Sequence, residues 1–326
     1  MSYASENLAS LEAGLAALRR DWSRLAARIK TIEHEVVVEG CRTTLRLHHP
    51  TLRESAATTA ELVRAITLFI PSFCLPRREL DVLHANDRNL DPFDLHIETT
   101  RLDRRAYDLF MRANAAGGRS GEAGELLLYL LTEWVLEAPQ MLAKMSLKTS
   151  SEMPVHGSDG IHVKVIPETG KLLLYSGEAK LHASLASAIR SAVASIREAM
   201  SPSRLERELE LVRRDLDISG LDERARQALL AFLDPFDPTS ENRIDVITCL
   251  LGFDFAPYAN PLLDGEPDTE FRRRALAELP AIAASVAAAL STNGLGGRTI
   301  ELFLFPLPSV AEFRRDFQDH IGVSRR

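Results

Sequence analysis

Apolar residues recur in this chain with two periods. Some stretches repeat every three or four positions, as helices packed on one side do, and shorter blocks alternate or run continuously between Gly and Pro, as strands do. Leu8, Leu11, Leu15, Leu18, Trp22 and Leu25 form one helical stripe and predict a helix over Glu6–Lys30. Glu35–Val38 reads as a short strand, Ser55–Phe69 as a helix ended by Pro71 and Pro76, and Arg101–Ala115 as a short helix. Before that last helix, Asn86–His96 carries Asp87, Asn89, Asp91, Pro92 and Asp94 and reads as an exposed loop. Its acid spacing lacks the central glycine and terminal glutamate of a calcium loop. The segment Ala116–Gly121, with three glycines, breaks the pattern and marks a boundary.

Beyond the boundary the pattern is strongest. Ala123, Leu126, Leu127, Leu130, Leu131 and Trp134 predict a helix over Glu122–Leu136, with Ser120 as its N-cap. Lys144–Thr149 reads as a first strand, and His162–Ile166 and Lys171–Tyr175 as a hairpin about the turn Pro167-Glu168-Thr169-Gly170. Ser184–Met200, with Leu185, Ala188, Ile189, Ala192 and Ile196 in register, predicts a closing helix. Further on, Ser203–Arg214, Asp222–Leu233 and Glu270–Leu290 read as helices and Asp234–Pro238 as a turn. Ile244–Phe255 and Thr299–Phe305 read as strands able to extend the central sheet, with Asp245 and Asp254 as structural acids. The expected class is mixed, α+β or α/β. It has three parts: an α/β accessory region over 1–117, a core over 118–200 and a C-terminal region over 201–326 that completes the sheet, with both flanking regions as candidate partner-docking surfaces.

Composition narrows this little. Hydrophobic content of 45% and charged content of 26% are those of an ordinary globular protein. A net charge of −7 argues against a stand-alone nucleic-acid clamp, since phosphate neutralisation supplies most non-specific affinity. The apolar runs Leu126–Leu131 and Ala281–Leu290 are short for a membrane span, and Met1–Leu11 has no signal pattern. A cytoplasmic protein without a membrane partner or small-molecule substrate is therefore expected. Cys41, Cys74 and Cys249 imply neither a disulfide framework nor a zinc site.

The candidate chemistry lies in two short segments, G-S-D-G and G-E-A-K, which contain Asp159, Glu178 and Lys180. Folding the hairpin so that Ile166 faces Lys171 makes each facing pair sum to 337, which sets Asp159 opposite Glu178. Opposed residues have Cβ atoms about 5 Å apart, so two carboxylates can share one cation. Lys180, two residues beyond Glu178, shares its face. Two carboxylates and an ammonium suit a Mg²⁺-dependent nuclease, in which the acids hold a hard cation and the lysine orients the attacking water. Acid-x-lysine is a cheap pattern, and solvated strand lysines explain Lys164 and Lys171. Yet five of the six lysines fall between Lys144 and Lys180 in a chain that otherwise uses arginine. Glu125, at the border of the apolar stripe, is the candidate third carboxylate, with Glu122, which also suits the helix dipole, as the alternative. Lys148 is a candidate phosphate contact or a plain strand-end lysine. His156, His162 and His182 lie nearby but not at ligand spacing.

Helix acid, strand Asp and strand Glu-x-Lys in an α-β-β-β-α order resemble the PD-(D/E)XK nuclease superfamily. The runs GEAGELLLYLL, KTSSEMPVHGSDGIHV and LLLYSGEAKL are similar to the nuclease subunits of the Hachiman anti-phage system, the HamA family, as are FIPSFCLPRREL, CLLGFDF and ELFLFPLPS. The resemblance implies a largely sequence-nonspecific DNA nuclease using Mg²⁺, with Mn²⁺ as the substitute. It also implies a superfamily 2 helicase partner (HamB-like) that works with the nuclease, whose activity is restrained until infection. Carried over by position, Asp159 and Glu178 are metal ligands, Lys180 is the water-orienting lysine and Glu125 the helix carboxylate. The rival readings are a non-catalytic adaptor for a helicase and a restriction-type or RNA-directed nuclease of the same fold.

Overall fold

The computed structural model describes residues 3–86, 89–117, 121–143, 160–200, 220–259 and 267–322, with positions 210, 213, 214 and 216 between them. Its strands are β1 (Ile29–Val37), β2 (Thr43–Pro50), β3 (Leu52–Arg53), β4 (Ala56–Ala57), β5 (Gln140–Leu142), β6 (Ile161–Ile166), β7 (Lys171–His182), β8 (Arg243–Asp254) and β9 (Thr299–Leu307). Apart from the small β3–β4 ladder they form one sheet in the order β1-β2-β9-β8-β7-β6-β5. The four inner strands β2, β9, β8 and β7 are parallel, and antiparallel pairs finish both edges. The fold is therefore mixed α/β about a mostly parallel sheet, and each of the three parts of the chain contributes strands to it.

The two C-terminal strands are not extensions of the sheet but its middle. Val246–Phe253 of β8 is buried without interruption, as is Leu302–Leu307 of β9. Continuous apolar runs are what parallel strands covered on both faces require. Pro306 sits inside β9, because β2 leaves the ladder after the Leu47–Leu304 pair and no amide is needed on that side beyond it.

Helices α1 (Tyr3–Ala17) and α2 (Ser23–Ala26) replace the single N-terminal helix expected, and β1 begins at Ile29, within that expected span. The apolar stripe is real but serves two cores. Leu11, Leu15 and Leu18 pack with the α9 (Glu223–Leu233) side chains Ala225, Leu229 and Phe232, whereas Trp22 and Leu25 join the core under α3 (Thr59–Thr67). Periodicity in sequence does not distinguish one long helix from a bent path with the same inward positions. Helix α4 is Ile70–Cys74 and α5 is Arg77–Asn86, the latter not anticipated. Helix α6 runs Pro92–Gly117, so the expected loop over Asn86–His96 is helical from residue 92. Asp91 caps it, accepting from Phe93 N at 2.7 Å and Asp94 N at 3.1 Å, which accounts for its acid without a metal.

The remaining helices are α7 (Glu122–Val135), α8 (Leu185–Ala199), α10 (Pro267–Thr292) and α11 (Val310–His320). Gly121 occupies the N-cap position of α7, and Ser120 lies outside the described residues, as does Lys144–Thr149. The described strand following α7 is β5. Helices α3, α4, α6, α7 and α11 bury one core against the sheet, and α8 and α10 bury another against its opposite face. Helix α10 is long and apolar enough to cross a membrane by length and composition, with mean hydropathy 1.5 over its best window. This exceeds what the shorter run Ala281–Leu290 suggested. Its Phe271, Ala275, Leu279, Ile282, Val286 and Leu290 are packed into the second core, so one face of the helix is buried against the sheet.

Candidate active site

The β6–β7 hairpin pairs Ile166 with Lys171 and Ile161 with Ser176, and all six facing pairs sum to 337. This is the register read from the sequence. Asp159 and Lys148 lie outside the described residues, so the facing of Asp159 and Glu178 stays an expectation. Strand β7 continues to His182 against β8, where Glu178 is beside Cys249 and Lys180 beside Leu251. Lys180 Nζ donates to Glu178 Oε1. Their side chains are 20% and 27% exposed respectively, sheltered yet open to a solute. Burial, and next the Glu178 charge, push the Cys249 thiol well above its usual range, so that thiol is no nucleophile.

Alternation along β7 decides what each neighbour can reach. Gly177, Ala179 and Leu181 face α7, and a Cβ at Gly124 of that helix would meet Leu181 at 3.1 Å and Ala179 at 3.2 Å. A Cβ at Gly177 would meet Leu128 Cδ2 and Thr248 Oγ1, each at 3.1 Å, so the glycine of G-E-A-K lets helix and strand close together. Glu178 and Lys180 point from the other face. Glu125 lines a small cavity with Gly160, His162, Gly177 and Thr248. It thus stands level with Gly160 and Gly177, on the α7 side of the sheet. Glu122, three residues earlier on α7, is within electrostatic reach of the Arg314 guanidinium on α11. The structure brings Glu178 and Lys180 together, and it does not bring either helix acid onto their face.

His162 has the placement of a core histidine. Its Nδ1 lies 2.9 Å from the Ala138 carbonyl, and burial lowers its pKa to about 4. His156 lies outside the described residues. His182 is shifted down by partial burial and then by the charges of Arg314, Lys180 and Arg190. Arg314 donates to the Leu181 carbonyl at 2.8 Å, so the C-terminal helix touches the strand that carries Glu178. Nothing in the spacing of Arg314 or Arg190 marks them, because each is brought here by its helix rather than by a motif.

Among the described residues no three His, Cys, Asp or Glu side chains are grouped to hold a metal. The donors available at this end of the sheet are carboxylate oxygens, the ligand type of a hard divalent cation rather than of zinc or copper. On that chemistry Glu178 fits such an ion, with Asp159 the expected second oxygen donor.

No curated protein matches the chain. The HamA family model matches residues 27–321, which takes in the whole sheet, α7, α8 and α11. With nine-tenths of its length inside that match, the chain belongs to the HamA family of the Hachiman anti-phage defence system.

Proposed function

We propose that this chain is a metal-dependent nuclease that hydrolyses DNA phosphodiester bonds, with a PD-(D/E)XK core, acting beside a superfamily 2 helicase. One observation carries the reading: Glu178 and Lys180 are in contact and half-sheltered on one face of β7, just past a hairpin whose described register, Ile161 with Ser176, is the one read from the sequence. The order α7, β5, β6, β7, α8 supports it. Membership of a phage-defence family supports a nucleic-acid target and a partner subunit.

In this reading Glu178 and Asp159 would hold Mg²⁺ or Mn²⁺, and Glu125 or Glu122 is the helix carboxylate, which would orient the set from the α7 side of the sheet. The ion, when bound, supplies Lewis-acid charge and lowers the pKa of water. Lys180 aligns the attacking water and adds positive charge beside the phosphate as negative charge builds on its oxygens. The water oxygen forms the new P–O bond, its proton is lost to solvent, and the leaving sugar oxygen takes the departing electron pair. Lys148 is assigned a contact to an adjacent phosphate.

The test is degradation of plasmid DNA by the full chain in Mg²⁺, with and without a superfamily 2 helicase of the HamB type. Glu178→Ala and Lys180→Ala should each lower cleavage at least about a hundredfold with unchanged folding. Comparing Glu125→Gln with Glu122→Gln identifies the helix acid. Full cleavage by Glu178→Ala would end the proposal, and no cleavage by the unaltered chain under any condition would move the reading to a helicase adaptor.

A further inference from the structure

The C-terminal helix reaches the candidate site by a chain of specific contacts. Asp254, the last residue of β8, accepts from Val310 N at 2.6 Å, and Ser309 caps α11 by accepting from Glu312 N at 3.2 Å. Phe313 and Phe317 are buried in the core on the α7 side. With those positions pinned, Arg314 is directed at the carboxyl end of β7, where it donates to Leu181 O at 2.8 Å. A guanidinium has five N–H donors. Leu181 O takes one, and the buried Arg314 Nε makes no hydrogen bond among the described residues.

Arg190 comes to the same strand end from the opposite side, because α8 packs in the core on the other face of the sheet. Lys180 stands between them on β7. Burial first, and then the charges of Arg314, Lys180 and Arg190, lower the His182 pKa, so all three cations are within electrostatic reach of one side chain. Among the described residues Glu122, Glu178 and Asp254 are acids near it. A chain of net charge −7 thus concentrates cations at the carboxyl end of parallel strands, where open α/β sheets hold ligands.

We propose that Arg314, with Arg190 and Lys180, forms a phosphate-binding wall that holds the backbone of bound DNA beside Glu178. The inference rests on the nuclease reading of this site. It makes Arg314 a substrate-binding residue supplied from outside the helix–strand core, and it makes the fork geometry of a guanidinium the reason for arginine there.

The experiment measures binding, not cleavage. Full-length Glu178→Ala protein is titrated onto a short fluorescein-labelled DNA duplex across a salt series, alone and combined with Arg314→Gln, Arg190→Ala or Arg315→Gln. Glutamine at 314 keeps an N–H donor and removes the charge, and a urea midpoint measured on each variant reads any structural loss separately. Arg315, paired with Glu312 at 3.6 Å, carries the same change of net charge as a control. Arg314→Gln should bind about tenfold more weakly, with a salt slope shallower by about one phosphate contact, while Arg315→Gln matches the parent. Arg190→Ala, at an exposed position, should shift both quantities the same way and decides the matter if Arg314→Gln does not fold. Unchanged affinity and slope in the folded 314 and 190 variants would overturn the proposal. Equal loss in the 315 control would do so too, as would a parent that binds no duplex at low salt. Failure of the nuclease reading alone would appear as binding of this kind without Mg²⁺-dependent cleavage by the unaltered chain.

Discussion

At the scale of single residues, the buried polar groups outside the candidate site carry the sharpest expectations about stability. His162 has a folded pKa of about 4 against an ordinary 6.5, because burial disfavours its charged form. Between those two values the unfolded chain binds the proton and the folded chain does not, so stability falls as pH drops from 6.5 toward 4. At about 1.4 kcal/mol per pH unit the loss is at most about 3 kcal/mol. His49, depressed to about 4 by burial, acts in the same direction. Urea unfolding at pH 7 and pH 5 should show the drop, and His162→Phe should flatten it. Glu133 is a second case, 3.7 Å from Arg77 and 3.9 Å from Arg20, with Oε1 accepting from Gln140 N at 2.9 Å. Burial pushes its carboxyl up while the two arginines oppose the shift. Glu133→Ala leaves both guanidinium groups without their carboxylate and should cost about 3–5 kcal/mol in urea unfolding.

At the scale of elements, the site depends on how closely α7 lies on β7. Gly124 and Gly177 make that approach possible, and the atoms that would meet a Cβ at Gly124 belong to Leu181 and Ala179 of the strand itself. Gly124→Val should therefore destabilise the protein by about 1–3 kcal/mol, read as a lower urea midpoint, and weaken the proposed DNA cleavage by shifting α7 against β7. The hairpin turn is governed by Gly170, whose φ of 64° suits glycine. Gly170→Ala should cost about 1 kcal/mol in unfolding without altering the register, because the alternation of buried Val163, Val165, Leu172 and Leu174 pins the pairing.

At the scale of the whole molecule, sheet order rather than chain order sets what can be removed. Strand β8 lies between β7 and β9, so a chain truncated after Met200 loses the parallel neighbour of the strand that carries Glu178. That fragment should fail to fold, giving no cooperative thermal transition, even though it contains every acid and lysine of the candidate set. Partner docking on residues 201–326 is for this reason better mapped by surface substitutions than by deletion.

The periodicity of α7, α8, α9, β8 and β9 was legible because each buries a regular face, and the 337 register followed from one turn and two short strands. Glu178 and Lys180 were legible too, since a spacing of two on a strand fixes a shared face. Strand β2 was not legible, because its buried interior holds Arg46, His48 and His49. Arg46 is satisfied by Glu301 at 2.9 Å, on a strand distant in sequence, and His48 lies 3.1 Å from Oγ1 of its ladder partner Thr31. The split of the N-terminal stripe between two cores and the separation of Glu125 from the Glu178 face also escaped the sequence. Local order thus determined which residues share a helix face or a strand face, a matter of bond geometry and period. Only the tertiary structure decided which faces meet, because that depends on crossover connections joining segments far apart in the chain, and it is this packing that carries Arg314 to the end of β7.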